Sequence, residues 1–235
     1  MPRFLILRLQ GPMQGWSGHS FEGRRPLLEY PSRSGVLGLL AACLGICRSD
    51  RQGQRDLAES VHYAARRDAR AHPAVAITDY HTVLDARETY QGLKSHDTIQ
   101  TWRDYLCDAA FTVAVWQTGN GGFDLDTIGH AVRAPRYTPF LGRRSCPLTR
   151  PLFDSFVEAE NSIAALSKIT HTPTRCHDNG IERKITSLAS TIYTEEHLED
   201  CTYTEDVRDE PLGQARQFAR RRVFVYEQEV SGVLE

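Results

Sequence analysis

Two short apolar runs constrain the fold of this chain more than any other feature of its sequence. The first covers Arg3 to Leu9 and ends at the breaker pair Gly11-Pro12, and the second is FTVAVWQ at Phe111 to Gln117. Continuous apolar runs bounded by turn residues are typical of strands buried inside a sheet. We therefore predict that both segments are core strands.

The chain between these two runs predicts a mixed structure. A loop of more than 20 residues, Gly11 to Ser32, precedes a helix that Ser32 or Ser34 caps and that continues to about Cys47. A polar linker then leads to a strand at about Ser60 to Arg66. After the second apolar run, Asp124 to Arg133 has the pattern of a short amphipathic helix capped by Asp124 or Asp126.

About 40 residues separate the strand at 60–66 from the one at 111–117, too many for a hairpin turn. Within them, Ala76 to Leu84 and Thr98 to Leu106 have strand composition, which predicts an inserted thumb hairpin at about 76–107. The order of elements favours an α+β fold of ferredoxin-like or RRM type over residues 1–153. Residues 154–235 are predicted as a β-rich extension packed on that domain, with a returning strand at about 218–230.

Charge is distributed unevenly, although the net charge of the 235 residues is only −2. Residues 1–150 hold 19 basic and 14 acidic residues, whereas residues 151–235 hold 9 and 16. No acidic residue occurs from Thr127 to Phe153, where five arginines are present: Arg133, Arg136, Arg143, Arg144 and Arg150. This pattern predicts a polyanionic partner. Only three of the 28 basic residues are lysines, and a GC-rich genome explains this preference for arginine equally well.

Several classes of protein are disfavoured by the composition. The longest apolar stretch, Val36 to Cys47, has 12 residues, whereas a membrane span needs about 20. The first residues lack a cleavage-like site, so we expect a cytoplasmic protein. Its six cysteines are expected as buried small side chains. Neither Cys43/Cys47 nor Cys176-His177 beside His171 is a convincing zinc site, and we expect no metal and no cofactor.

Enzyme motifs are also missing, because there is no HExxH, P-loop or dinucleotide-binding glycine pattern. The best acid–base candidates are residues of the insertion: Tyr80, His81, Tyr90, Lys94 and His96. Such side chains can support metal-independent RNA cleavage, but they are also ordinary on half-exposed strands. We therefore predict a binding protein without catalytic residues. A metal-independent endoribonuclease and a purely protein-binding scaffold are the alternatives.

Two loops carry the candidate binding residues. The first combines a stacking ring, an amide and guanidinium groups suited to single-stranded nucleic acid, at Gln14, Trp16, Arg24 and Arg25. Trp16 as a buried loop anchor is the alternative. Arg33 and Ser34 lie where a helix N-terminus favours phosphate, although Ser34 is equally an ordinary cap. The second loop, RYTPFLGRRS at 136–145, supplies Arg136, Tyr137, Arg143, Arg144 and Ser145.

The predicted thumb adds Lys94 near its tip and Arg103 on its returning arm. Trp102 and Arg103 are adjacent, so their side chains point to opposite faces of a strand. We expect Trp102 to pack inward and Arg103 to face RNA. An ion pair of Arg103 with Asp79 or Asp85 is the alternative.

Long stretches of the chain also match a known pattern: LRLQGPMQGW at 7–16, FEGRRP at 21–26, PSRSGVLGLLAACLGI at 31–46, DYHTVLDARETYQGLKSHDTIQTWRDYLCDAAFTVAVW at 79–116, PRYTPFLGRRSCPLTRPLF at 135–153, VRDEP at 207–211 and RQFARRRVFVY at 216–226. Together they resemble the Cas five (Cas5) family of CRISPR Cascade subunits, and in particular its type I-E members. The resemblance is nearly continuous over residues 3–153 and weak over 154–207.

This resemblance implies an RRM-like domain with a long thumb. It implies a non-catalytic RNA-binding subunit that holds the 5′ handle of the crRNA and caps the backbone filament of Cascade in antiviral defence. The implied partners are the crRNA, the adjacent backbone subunit and the large subunit, with target DNA reached only through the assembled complex. The handle-binding positions fall on Gln14, Trp16, Arg24, Arg25, Arg33, Ser34 and the loop 136–145, and thumb contacts fall near Lys94 and Arg103.

Overall fold

The computed structural model describes residues 1–17, 23–68, 75–84, 98–171, 177–178, 181–182, 188–209 and 219–230. It is a mixed α/β structure with antiparallel sheets. The strands are β1 (Arg3–Gln10), β2 (Met13–Gln14), β3 (Arg24–Arg25), β4 (Val61–Arg67), β5 (Val75–Leu84), β6 (Thr98–Cys107), β7 (Ala110–Gln117), β8 (Phe153–Glu158), β9 (His177–Asp178), β10 (Ile181–Glu182), β11 (Leu188–Thr194), β12 (Tyr203–Asp209) and β13 (Ala219–Val230). The helices are α1 (Arg33–Leu44), α2 (Arg51–Ser60), α3 (Leu125–Arg133) and α4 (Ser162–Ser167).

Seven strands form the main sheet in the order β12-β13-β11-β4-β7-β1-β8. Every neighbouring pair in it is antiparallel. The two apolar runs of the sequence are the adjacent strands β1 and β7, with Leu5 opposite Val115 and Gln10 opposite Ala110. The prediction that both are core strands is confirmed.

Both faces of the main sheet are covered, which explains why its core strands are apolar without alternation. On one face, Leu5 and Leu7 of β1 belong to a core that includes residues of α1 and α3. On the other face, Phe4 and Ile6 pack in a smaller core with Leu166 of α4. Within the described residues, no helix is long and apolar enough to span a membrane.

Helix ends follow the local signals in the sequence. Ser32 caps α1 by accepting a hydrogen bond from the amide of Gly35, and Gly45 ends the helix at a φ of 79°, in the left-handed region that favours glycine. Asp124 caps α3. The predicted polar linker before Ser60 is wrong, because this segment is α2. Leu57 is its one buried apolar side chain, so the segment has no apolar periodicity that would indicate a helix.

A smaller sheet contains the two strands predicted within the insertion. β5 and β6 pair over their full length, from Val75 opposite Cys107 to Leu84 opposite Thr98. On its other edge β6 pairs with β2, and in parallel with β3. Residues 85–97 lie outside the described residues, and with them Asp85, Tyr90, Lys94 and His96.

Four strands after residue 153, namely β8, β11, β12 and β13, are part of the main sheet, whereas β9 and β10 pair with each other in a separate two-stranded sheet. β8 pairs with β1 at one edge, and β11 pairs with β4 and is followed outward by β13 and β12. Without β11, the strand β4 would present unpaired backbone groups to solvent. β13 occupies the segment where the returning strand was expected.

A buried ionic network ties this sheet to α4. Arg8, Thr112 and Arg66 lie side by side across β1, β7 and β4. The Asp68 carboxylate forms ion pairs with Arg8 at 3.3 Å and with Arg66 at 2.9 Å. Arg66 also donates to the carbonyl of Ile169, just after α4, at 2.8 Å. Asp154 also pairs with Arg8, at 2.9 Å, so two carboxylates balance two buried guanidinium groups and Asp68 is the one that contacts both.

We predict that Asp68→Asn lowers the free energy of unfolding by about 3–5 kcal/mol, because it removes the counter-charge of buried Arg66 and leaves Arg8 with Asp154 alone. Asp126→Asn is the matched control. Asp126 forms an ion pair with Arg3 in which both side chains are exposed, so its loss changes stability by about 1 kcal/mol or less. Urea denaturation of both variants measures the difference, and equal small losses would contradict the role given to the network.

Candidate nucleic-acid interface

The loop at 141–146 is built to fit against the first loop of the chain. Gly142 has a φ of 82°, and a Cβ at this position would lie 2.3 Å from the carbonyl oxygen of Gly15. The amide of Gly15 donates to the carbonyl of Leu141 at 3.0 Å, and the amide of Leu141 donates to that of Cys146 at 2.8 Å. This contact fixes where Arg143, Arg144 and Ser145 are presented.

The Arg143 side chain joins several segments of the interface. Its guanidinium lies 4.6 Å from the ring centroid of Tyr105 on β6. Its Nη2 donates to Ser17 Oγ at 2.9 Å and to the carbonyl of Arg25 at 3.5 Å. Its Nη1 is buried and has no hydrogen-bond partner in the described structure. Arg143 therefore holds the loops against β6 and is not a freely exposed phosphate ligand. We call this set of contacts the Arg143 bracket.

Other arginines around this bracket are open to solvent. Arg24, Arg25 and Arg144 are exposed, as is Ser145. The parallel pairing of β3 with β6 places Arg25 beside Arg103, and Arg103 donates from Nε to Thr101 Oγ1 at 3.2 Å. Alternation along β6 puts Arg103 on the same face as Tyr105, over which Arg143 lies. We define Arg25, Arg103, Arg143 and Arg144 as the arginine cluster.

This cluster has no acidic partner in the part of the chain that the structure describes. None of its guanidinium groups forms an ion pair with a described carboxylate. Asp79 lies opposite Arg103 in the β5–β6 register, but its recorded ion pair is with His81 at 3.7 Å. A positive surface without internal neutralisation favours an anionic ligand.

Trp102 does not pack inward as expected. Its side chain is 43% exposed and contacts Tyr80 across the hairpin, with ring centroids 5.4 Å apart. The face of β6 that carries Arg103 is the one turned toward the Arg143 bracket. The expectation failed because the alternation of a strand defines two faces without indicating which of them meets the rest of the protein.

Gln14 and Trp16 are buried, so the expected stacking ring is not presented to solvent. Trp16 is 1% exposed and its Nε1 donates to Gln14 Oε1 at 2.7 Å. Gln14 in turn donates to the carbonyl of Ala109 at 2.7 Å. Gly35 allows the close approach of the ring, since a Cβ there would lie 2.9 Å from it. The alternative of a loop anchor is the correct interpretation of Trp16.

Arg33 is also used inside the protein, contrary to its expected role. Its Nε donates to Glu195 Oε1 at 2.7 Å, and its Nη2 donates to the carbonyls of Ala58 and Val61. Burial raises the pKa of Glu195, but the hydrogen bond with His62 and the charge of Arg33 outweigh it, and the pKa lies below its usual value. Ser34 lies beside the capping residue Ser32, with their Oγ atoms 3.4 Å apart.

Arg136 and Tyr137 contact the end of α1. Their amides donate to the carbonyls of Cys43 and Ala42 at 2.9 and 3.0 Å. The Tyr137 hydroxyl lies 3.4 Å from Cys47 Sγ, and its ring is partly exposed. A cation at a helix C-terminus is stabilised by the helix dipole, so Arg136 has a structural explanation here.

The described part of the chain shows no catalytic constellation among the earlier candidates. Tyr80 packs on Trp102, and His81 is half exposed beside Asp79. Lys94, Tyr90 and His96 lie outside the described residues, as does Cys176. Among the described residues, no group of three or more His, Cys, Asp or Glu side chains could hold a metal ion.

Ser17 and Tyr105, which position Arg143, were missed because nothing in the sequence links them to residue 143.

The two tryptophans provide a test of this assignment. Trp16→Ala is predicted to lower the free energy of unfolding by about 3–5 kcal/mol, because it empties a buried site and leaves the buried Oε1 of Gln14 without its hydrogen-bond donor. Trp102→Ala removes an exposed aromatic pair and is predicted to cost about 1 kcal/mol. Chemical denaturation followed by circular dichroism compares the two variants. Equal losses would contradict the anchor role of Trp16.

Comparisons with known proteins agree with the pattern seen in the sequence. Residues 4–224 match a family model described as "CRISPR-associated protein (Cas_Cas5)". The chain is 47% identical over 231 residues to the "CRISPR system Cascade subunit CasD" of Escherichia coli (strain K12), covering 96% of each chain. A chain of a "CRISPR RNA-guided surveillance complex" superposes with a TM-score of 0.71 at 27% identity, over 98% of this chain and 91% of that one. A "Crystal structure of Cas protein" gives a TM-score of 0.59 at 27% identity, over 97% and 95%.

Proposed function

The chain belongs to the Cas5 family of CRISPR-associated proteins, and from this premise we propose that it is the Cascade subunit that holds the 5′ handle of the crRNA. The observation that carries this proposal is the arginine cluster. Its exposed members have no described acidic partner, and they are arranged around a rigid bracket. Guanidinium groups presented in this way are suited to the phosphates of an RNA strand.

We propose further that the fold is of the ferredoxin-like or RRM type. The central four strands are in the order β4-β7-β1-β8. α1 and α2 connect β1 to β4 across β7, and α3 connects β7 to β8 across β1. Two such interlocked crossovers are the pattern of a split β-α-β fold. Because α4 covers the sheet face that RRM domains use to stack bases, RNA binds at the loops and β6.

The partners follow from the same arrangement. The β5–β6 hairpin, at about 76–107, is the proposed thumb that meets the adjacent backbone subunit around the RNA. Its expected RNA contacts are at Arg103 and, at the tip, Lys94. We propose that the chain caps the backbone filament, contacts the large subunit, and reaches target DNA only through the assembled complex. It acts in the cytoplasm, where we expect this complex to assemble.

The role is proposed to be non-catalytic. Of the acid–base candidates, Tyr80 contacts an aromatic ring and His81 contacts Asp79, and neither is part of a cluster with the arginines. The relative in Escherichia coli is named as a subunit of the complex. Binding through fixed arginines requires no proton transfer.

The arginines of the cluster divide into two classes, whose effects on RNA binding and on protein stability can be measured separately. We predict that Arg144→Ala weakens binding of a 5′-handle RNA by about 1.5–3 kcal/mol and reduces the salt dependence of binding by about 0.7 logarithmic units per decade. The melting temperature of the Arg144→Ala variant stays unchanged, because the Arg144 side chain is exposed. Arg143→Ala weakens binding and also lowers the melting temperature, because it removes the bracket.

Arg222→Ala is the matched control, since Arg222 is an exposed arginine on β13, near the far edge of the main sheet. Fluorescence anisotropy at several salt concentrations measures binding, and calorimetry measures melting. If Arg144→Ala and Arg222→Ala have equal affinity and equal salt dependence, the arginine cluster is not the RNA site.

A further inference from the structure

The outer edge of β5 is an open strand edge. β5 pairs with β6 along its whole length on one side, and no other described strand pairs with it. All ten of its residues are exposed. A long edge strand presents a row of free backbone donors and acceptors, which is a template for pairing with another chain.

This edge lacks the usual protection against pairing. The sequence VAITDYHTVL contains no lysine, arginine or proline, the residues that most often block strand edges. Its exposed side chains include large apolar ones: Val75, Ile77, Tyr80, Val83 and Leu84. Alternation places Val75, Ile77 and Val83 on one face of the strand and Tyr80 and Leu84 on the other, and exposed apolar side chains grouped in this way mark a surface that a partner covers.

The sequence of β5 is complementary to itself. If two copies of β5 pair antiparallel with Tyr80 opposite Tyr80, Asp79 lies opposite His81 of the second copy, and Ile77 lies opposite Val83. Ala76 then faces Leu84, and Thr78 faces Thr82. Within the nine residues 76–84 that pair in this register, each apolar residue meets an apolar one and each carboxylate meets an imidazole, which is the pairing that stabilises neighbouring strands.

Neighbouring registers lack this complementarity. Directly opposite residues of an antiparallel pair point to the same face of the sheet. A symmetric pair of two identical strands is therefore centred on a residue that lies opposite its own copy. Centring the pair on Asp79 opposes two carboxylates, and centring it on His81 places Asp79 opposite Val83. Of these three registers, the one centred on Tyr80 matches both charge and apolarity.

The aromatic side chains support the same centre. Tyr80 lies beside Trp102 of β6, with ring centroids 5.4 Å apart, and both rings are exposed. Pairing across Tyr80 extends these two rings into a row of four over the joined hairpins. Such a row buries the largest exposed side chains of the hairpin.

We propose that the free chain forms a symmetric dimer through its β5 edges, centred on Tyr80. The interface is isologous, as a two-fold dimer requires. It uses a surface on the opposite edge of the hairpin from β3 and Arg25, so it does not depend on RNA binding.

Charge variants on the full-length chain test the dimer. Analytical ultracentrifugation over a concentration series gives the dissociation constant of the RNA-free protein. Asp79→Lys alone opposes lysine to His81, and His81→Asp alone opposes two carboxylates. Each single variant is expected to raise the dissociation constant about tenfold or more, because two symmetric contacts become unfavourable.

Mixing the two single variants restores both favourable contacts in a heterodimer, and the variant that carries both substitutions restores them in a homodimer. The recovery also shows that the hairpin of each variant has formed. Glu160→Lys is the control, since it makes the same change of net charge at an exposed residue outside the hairpin. A chain that is monomeric at every concentration overturns the proposal and leaves the edge for a different protein. A dimer that neither single variant weakens overturns it also.

Discussion

The burial of β1 and β7 on both faces is the constraint on which the rest of this structure depends. Their apolar side chains alternate between the core under α1 and α3 and the core under α4. In the part of the chain that the structure describes, both faces of β1 and β7 are therefore covered by packed side chains. The polar side chains of the candidate interface lie instead on the loops at the sheet ends and on the β5–β6 hairpin.

The same constraint divides the arginines into two populations. Arg8 and Arg66 lie within the core, where Asp68 pairs with both and Asp154 pairs with Arg8, while Arg33 is bound by Glu195. Arg25 and Arg144 remain at the surface, where no described carboxylate neutralises them. Arg143 lies between the two populations, because it is fixed by Tyr105 and Ser17 and carries the loop that presents Arg144. A rigid support reduces the entropy that exposed arginines lose when they bind.

Sequence patterns predicted the parts of the fold that local physics determines. Apolar runs located β1 and β7, and a capping aspartate located α3. The roles of single residues depended on distant partners. Glu195 is 162 positions from Arg33, and the burial of Trp16 depends on Gly35, which accommodates its ring. Arg33 is held in an ion pair with Glu195 and Arg144 is exposed, although both are arginines, and only the tertiary structure separates them.

The central claim is that RNA contacts the arginine cluster and not the faces of the sheet. Photo-crosslinking of the assembled complex, with a photoreactive base at each position of the 5′ handle, tests this claim most directly. Mass spectrometry then identifies the crosslinked peptides of this chain. We expect crosslinks in peptides that contain Arg25, Arg103 and Arg144. Crosslinks confined to β12 and β13 at the far edge of the sheet would contradict the account.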